Sequence, residues 1–174
     1  MISVISPFYN EDAILRGSVE LMLSNLSTLG EDWEFIIVND GSTDQSHTIA
    51  EQLVAEHEER LQLISYPINK GRGHALYEGI QAAKGDIIIT TEIDSSWGDS
   101  IVAQLAAFLT ERPEIAAVFA SPHLPGGGYK NVPAIRVFLS TWGNWFIRVF
   151  MDRRITMYTG MTRGYRSEVI KNLP

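Results

Sequence analysis

Asp86-Ile87-Ile88-Ile89-Thr90-Thr91-Glu92-Ile93-Asp94 carries an apolar run, read as a buried strand, out to solvent at two carboxylates spaced two residues apart. Side chains at i and i+2 share one face of a strand, so Glu92 and Asp94 are expected to converge on one hard cation. Mg²⁺ and Mn²⁺ prefer oxygen ligands, and such an ion would in turn hold the phosphates of a nucleotide. That chemistry points to transfer of a group from a nucleotide donor. Two acids two apart also occur at ordinary solvated strand ends, so the weight falls on what surrounds them.

Outward from this strand, apolar runs bounded by turn residues alternate with helix-period segments, the pattern of a mostly parallel α/β sheet. Strands are expected at about 2–6, 34–38, 61–65, 86–91 and 115–120, and helices at about 11–28, 43–58, 73–83 and 98–110. The second helix opens at Asp40-Gly41-Ser42-Thr43-Asp44, rich in capping residues, and the third follows Asn69-Lys70-Gly71-Arg72-Gly73. In open α/β sheets ligands bind beyond the carboxyl ends of the strands, so the loops after the first, second and fourth strands should face one site.

The break Leu124-Pro125-Gly126-Gly127-Gly128 divides an acidic body from a basic segment. Residues 1–128 hold 6 Lys/Arg against 19 Asp/Glu, a net of −13, while residues 129–174 hold 8 against 2, a net of +6. The basic segment suits an anionic partner, and the acidic body argues against nucleic acid. The 174 residues fit one domain, able to bury about two-thirds of its unfolded surface. There is no cysteine, hence no disulfide framework, zinc–thiolate site or thiol nucleophile. Met1 to Pro7 has no basic region ahead of its apolar run and reads as a first strand, and no apolar run approaches the roughly 20 residues of a membrane span.

A soluble cytoplasmic protein is therefore expected, peripheral at the cytoplasmic face of a membrane. The membrane contact rests on Ala134 to Phe150, an amphipathic helix loaded with Phe138, Trp142, Trp145, Phe146 and Phe150, with Arg136 and Arg148 interspersed. These aromatics either pack on the sheet or form an interfacial face, and each reading can hold for a different face of the helix.

Four loops supply matching parts. Pro7 fixes the backbone after the first strand, and Tyr9 offers a ring to a base or ribose. Asp40 can accept from a nucleobase N–H or ribose hydroxyl, and Gly41 permits close approach. Lys70 and Arg72 bring cations, and Gly71 and Gly73 let the chain approach a diphosphate. Glu92 and Asp94 bring the metal. Singly, each has a plain structural explanation, with Asp40 and Asp44 as helix caps, Pro7 and Gly71 as turn makers, and Lys70 and Arg72 as solvated charges.

Taken in order, Val4-Ile5-Ser6-Pro7-Phe8-Tyr9-Asn10-Glu11, Ile37-Val38-Asn39-Asp40-Gly41-Ser42-Thr43-Asp44, Asn69-Lys70-Gly71-Arg72-Gly73-His74-Ala75 and Ala83-Lys84-Gly85-Asp86 resemble a family 2 glycosyltransferase of the GT-A fold. The triple glycine, Arg136-Val137-Phe138-Leu139-Ser140 and Thr159 to Arg166 resemble the dolichol- or polyprenyl-phosphate hexosyltransferase branch. The resemblance implies a Rossmann-like, mostly parallel sheet with helices on both faces, forming a single catalytic domain over 1–174. Residues 1–128 would be its nucleotide-sugar-binding body and 129–174 its acceptor-side segment, truncated relative to the family at the C-terminus. It also implies a nucleotide-diphosphate sugar bound through Pro7, Tyr9, Glu11 and Asp40, with Mg²⁺ or Mn²⁺ at Glu92 and Asp94. Arg136 and Ser140 would receive a polyprenyl phosphate, and Arg163 would neutralise donor phosphate, a task suited to a planar, permanently charged guanidinium. The chain departs from the family pattern at Glu92, usually Asp; at Met157, usually Asp; at Gly160-Met161-Thr162, usually Ser-Gly-Phe; and at Pro122-His123, where an Arg is usual.

The expected reaction is inverting transfer of a hexose from the nucleotide donor to the lipid phosphate. An acceptor phosphate is already anionic and needs no general base, which is compatible with Met157. The metal and Arg163 would offset charge on the leaving diphosphate, with Gly126 to Lys130 as a lid. One rival is transfer to a saccharide or protein hydroxyl, which needs a carboxylate base such as Asp152 or Glu168. Another is a non-catalytic nucleotide-sugar-binding module. A dinucleotide-binding reading fails because Gly71-Arg72-Gly73 lacks the third glycine at the required spacing.

Overall fold

The computed structural model describes residues 1–94, 96–124, 134–151 and 155–173, with Ala134 and Arg136 described by their backbone. The chain runs β1 (Ile2–Phe8), α1 (Leu15–Leu26), β2 (Trp33–Asp40), α2 (Ser46–Glu56), β3 (Leu61–Tyr66), α3 (Arg72–Ala82), β4 (Ile87–Thr90), α4 (Ile101–Glu111), β5 (Ala117–Phe119), α5 (Ala134–Phe150), β6 (Arg163–Arg166) and α6 (Ser167–Ile170). It divides into two compact units, Met1–Val118 with Thr162–Pro174, and Phe119–Met161.

Strand alternation sets the layers of the first unit. Ile2, Val4 and Phe8 of β1, Phe35 and Ile37 of β2, and Ile87 and Ile89 of β4 share one core with Leu15, Val19 and Met22 of α1, Leu53 of α2 and Leu105 of α4. The intervening Ile5, Ile36, Val38 and Ile88 form a second core with Ala75 of α3. With helices on both faces, apolar side chains of the central strands β1, β2 and β4 are buried on either side, and a fully buried Ile or Phe contributes about 1.5–3 kcal/mol relative to exposure. Helix α3 lies tight on the sheet. A Cβ added at Gly79 would come within 2.5 Å of Ile5 Cγ2.

The sheet order is β3-β2-β1-β4-β6-β5. Strands β3, β2, β1 and β4 are mutually parallel, and β6 runs antiparallel to β4, with Thr90 opposite Arg163. The direction of winding reverses between β1 and β4, the switch point at which α/β sheets open a crevice. The β1–β4 register ends at Ile5–Thr90, whereas β1 continues beside β2 to Phe8. Pro7, buried and opposite Val38, therefore sits where β1 has lost its β4 neighbour, a position that tolerates the missing N–H.

Several expected boundaries shift. Helix α1 starts at Leu15 rather than near 11, because the Glu11 carbonyl first accepts from Ile14 and Leu15 in a turn. Strands β4 and β5 are shorter than expected, and β6 and α6 have no counterpart in the expected elements. Arg166, which closes β6, donates to the carbonyls of Leu109 at 2.7 Å, Arg112 at 3.1 Å and Ile115 at 3.1 Å. It thereby satisfies acceptors that the end of α4 leaves open.

In the second unit, α5 spans the expected residues. Ile135, Phe138, Leu139, Trp142, Trp145, Phe146, Val149 and Phe150 are 47–73% exposed. They recur at the three- and four-residue spacing of one helix face. Asn144, on another face, is buried. Its Nδ2 donates to the Ser140 carbonyl at 2.8 Å and to Thr159 Oγ1 at 3.1 Å, and its Oδ1 accepts from Tyr158 N–H at 2.6 Å. The helix is thus held by a polar contact and presents its apolar face outward.

Candidate active site

The loops after β1 and β2 are stitched together by hydrogen bonds. Asn10 N–H donates to Ser42 Oγ at 3.0 Å, Thr43 N–H to Asn10 Oδ1 at 2.8 Å, Glu11 N–H to Ser46 Oγ at 2.8 Å and Asp12 N–H to Asp44 Oδ2 at 3.2 Å. Asn10 takes φ 55°, a left-handed conformation that Asn tolerates because its short amide bonds locally. Asp44 also accepts Ser46 N–H at 2.9 Å, in front of α2. Asp44 thus closes a turn ahead of the helix, whose N-cap is Gln45 with no side-chain capping bond, so the capping explanation fails for it. It fails also for Asp40, which is buried and does something else.

Asp40 Oδ1 accepts from the Tyr66 hydroxyl at 2.8 Å and from Lys70 N–H at 2.9 Å. The loop after β3 folds back to make these contacts, and Gly41 (φ 70°) makes room for it. A Cβ there would lie 2.6 Å from the Ile68 carbonyl carbon and would collide with Asn69 N. Gly71 (φ 89°) precedes α3, its N–H donating to Asn69 Oδ1 at 3.1 Å. The Lys70 ammonium lies 5.2 Å from the centre of the Tyr66 ring, a cation–π contact at the loop surface. Tyr9 is exposed at the crevice end of β1.

Glu92 and Asp94 are not two positions on one strand face. Strand β4 ends at Thr90 and turns, so strand alternation does not apply to them. Half-buried Glu92 accepts from Thr162 Oγ1 at 2.7 Å, while exposed Asp94 accepts Ser96 N–H at 3.0 Å through Oδ1. Among the described residues neither carboxylate has an ion-pair partner. Burial, followed by the charges of Asp94 and Asp44, pushes the Glu11 carboxyl above its ordinary range. The crevice therefore collects negative potential from three loops.

Among the described residues no group of three His, Cys, Asp or Glu encloses a metal. A two-carboxylate site still suits Mg²⁺ or Mn²⁺, which complete their shells with water and phosphate oxygens. Arg163 sits on β6 opposite the last residue of β4, next to the turn that carries Glu92. Thr162, Tyr66 and Asn10 were missed in the sequence. An Asn or Ser beside a turn glycine was the available signal for the loop contacts, but nothing local marks a hydroxyl that serves a partner 26 or 70 residues away.

On α5, the positions of Arg136 and Ser140, i and i+4, share a face. Ser140 is half-buried beside Asn144 Nδ2, whose 3.4 Å contact reaches its hydroxyl. Met157 is buried, its sulfur 3.3 Å from the same Nδ2. The expected lid, Gly126 to Lys130, and Asp152 lie outside the described residues, as does the Arg136 side chain. Glu168 is exposed on α6.

Solved structures share this fold. Glucosyl-3-phosphoglycerate synthase from Mycobacterium tuberculosis, in complex with Mn²⁺, UDP-glucose and phosphoglyceric acid, matches with a TM-score of 0.70 at 20% identity, over 100% of this chain and 59% of that one. The mannosyltransferase PcManGT from Pyrobaculum calidifontis, in complex with GDP-Man and Mn²⁺, matches with a TM-score of 0.62 at 18% identity, over 96% and 44%. The architecture is that of the GT-A glycosyltransferases. The chain belongs to glycosyl transferase family 2, whose model matches residues 3–173. Among curated proteins it is 25% identical over 169 residues to an undecaprenyl-phosphate 4-deoxy-4-formamido-L-arabinose transferase from Pectobacterium carotovorum subsp. carotovorum. It is 26% identical over 170 residues to the protein of that name from Shewanella sediminis. These alignments cover 97% and 98% of this chain, which spans about half the length of each relative, 50% and 49%.

Proposed function

We propose that the chain is a single catalytic domain of a metal-dependent glycosyltransferase. It moves a hexose from a nucleotide-diphosphate sugar to a polyprenyl phosphate with inversion, at the cytoplasmic face of a membrane. The observation that carries this is the convergence of the β1, β2 and β4 loops at the switch point, where the charges of Asp94 and Asp44 both reach Glu11. The names of the curated relatives supply the acceptor class.

In this reading Pro7, Tyr9, Glu11 and Asp40 hold the nucleoside, and Lys70 and Gly71 approach the diphosphate. Glu92 and Asp94 would hold Mg²⁺ or Mn²⁺, which supplies charge neutralisation at the diphosphate when bound. Arg163 adds a fixed positive charge there. An acceptor phosphate oxygen attacks the anomeric carbon from the face opposite the diphosphate. The new C–O bond forms as the bond to the diphosphate breaks, and the electron pair leaves with the nucleotide. The nucleophile is already ionised, so no side chain needs to remove a proton, and the buried Met157 sulfur is no obstacle. Arg136 and Ser140 receive the acceptor phosphate.

The outward aromatic face of α5 rests on an anionic bilayer. No acidic residue occurs between Glu114 and Asp152, while Lys130, Arg136 and Arg148 lie within that span. The test is transfer of radiolabelled sugar to a short-chain polyprenyl phosphate by the full protein, alongside donor affinity. Arg136→Ala should impair transfer far more than donor binding, with Arg136→Lys restoring part of it because the bidentate geometry is lost. Transfer to a soluble hydroxyl acceptor with the lipid phosphate ignored would replace this reading.

A further inference from the structure

Tyr66 ends β3 directly opposite Asp40, the last residue of β2, at the rim of the crevice. Three contacts meet on it. Its hydroxyl donates to Asp40 Oδ1 at 2.8 Å, its ring carries the Lys70 ammonium at 5.2 Å, and the His74 ring meets it edge-on at 5.3 Å. Lys70 N–H is the other donor to the same Asp40 oxygen. Both hydrogen bonds fall on Oδ1, which leaves Oδ2 to meet a nucleoside N–H or hydroxyl. A carboxylate with one oxygen tied by two donors keeps its plane fixed, so the other oxygen points one way without an ordering cost when ligand arrives. Burial, then the hydrogen bond and charge of Asp40, push the phenol well above its ordinary range. It therefore stays a proton donor, the role this arrangement needs.

We infer that Tyr66 is the positioning residue of the nucleotide site: its hydroxyl sets the orientation of Asp40 toward the nucleoside, and its ring sets the Lys70 ammonium toward the diphosphate. This rests on the nucleotide-sugar reading of the crevice. The two halves separate chemically, because Tyr66→Phe removes the hydroxyl and keeps the ring, whereas Tyr66→Leu removes both.

The experiment is calorimetric titration of the full chain with UDP, GDP and the corresponding monophosphates in Mn²⁺, well below the thermal midpoint. The proteins are wild type, Tyr66→Phe, Tyr66→Leu, Asp40→Asn and the Tyr66→Phe/Asp40→Asn double variant. Tyr66→Phe should weaken the preferred nucleoside diphosphate and its monophosphate alike by about tenfold, within the range for side chains that share one network. The double variant should bind no worse than Asp40→Asn, since Tyr66 acts through Asp40. Tyr66→Leu should in addition erode the preference for diphosphate over monophosphate. A purely structural tyrosine would lower the thermal midpoint and leave these affinities alone. Unchanged affinity in Tyr66→Phe, or additive losses in the double variant, overturns the proposal by itself. If the wild-type chain binds neither UDP nor GDP, the nucleotide-sugar reading falls first and this inference with it.

Discussion

The crevice loops and helix α5 present opposite kinds of surface. Around the crevice, polar side chains are committed to one another: Asn10 with Ser42 and Thr43, Asp44 with Asp12 and Ser46, Asp40 with Tyr66 and Lys70. Along α5 the polar residue Asn144 is buried, and tryptophans and phenylalanines face outward. The first arrangement fixes geometry before a ligand arrives, which suits a small molecule recognised by a few directed groups. The second fixes no direction and offers area, which suits an extended apolar boundary. Within one chain, donor recognition and surface attachment are therefore expected to fail independently.

The sharpest way to break that comparison is at the acidic turn after β4. Asp94→Ala should reduce Mn²⁺-dependent nucleotide-sugar affinity by more than about 100-fold, since even outer-shell partners of a metal cost about 10–100-fold. Glu92→Ala should do less, because Glu92 is half-committed to Thr162. Unaltered titrations in both variants would remove the metal from this turn. Next in size, Asp40→Ala should cost about 1–3 kcal/mol of nucleotide affinity, the range for an unsatisfied buried partner, leaving vesicle binding untouched. Stability lost with affinity kept would return Asp40 to a purely structural role.

The opposite arm is Trp142→Ser with Trp145→Ser. These exposed residues should leave thermal stability within about 0.5 kcal/mol and UDP or GDP affinity unchanged, yet lower binding to anionic vesicles in a flotation assay. A cooperative loss of stability would show that the aromatic face is structural. The smallest effect belongs to Glu11. Its folded carboxyl titrates above the unfolded value, so ionising it works against folding. Glu11→Gln should be slightly more stable than wild type at neutral pH. That gain should shrink as pH falls through the folded value and vanish below the unfolded value of about 4.3, where both side chains are neutral. Denaturant titrations across pH 4–8 check the sign.

Much of the fold was legible because its determinants are local. Ile36-Ile37-Val38 ending in Asp40-Gly41, and Ile87-Ile88-Ile89 ending in threonines, announce buried strands that run into loops. Helix α5 was legible from its apolar spacing, but which way that face points depends on Asn144 finding backbone partners 14 and 15 residues later. Strand β6 was invisible because Arg163-Gly164-Tyr165-Arg166 has neither length nor apolar content. It exists through pairing with β4, and Gly164 fits because a side chain there would press on Leu109 and Val118. The loops of the candidate site could be located from their turn residues. The carboxylate geometry after β4 could not, because strand alternation was carried to Asp94, four residues beyond Thr90, where the strand ends.

The antiparallel partner of β4 also sets a timetable for synthesis. Ile87 to Thr90 can pair with β1 as soon as they emerge, but their other edge waits for residues 163–166. At about 5–20 residues per second, that interval lasts roughly 4 to 15 s on the ribosome. Throughout it a row of isoleucines stands with unpaired backbone donors and acceptors, the kind of edge on which nascent chains associate. The completed sheet is therefore gated by its last strand, and the nascent chain is exposed to chaperone capture for that whole interval.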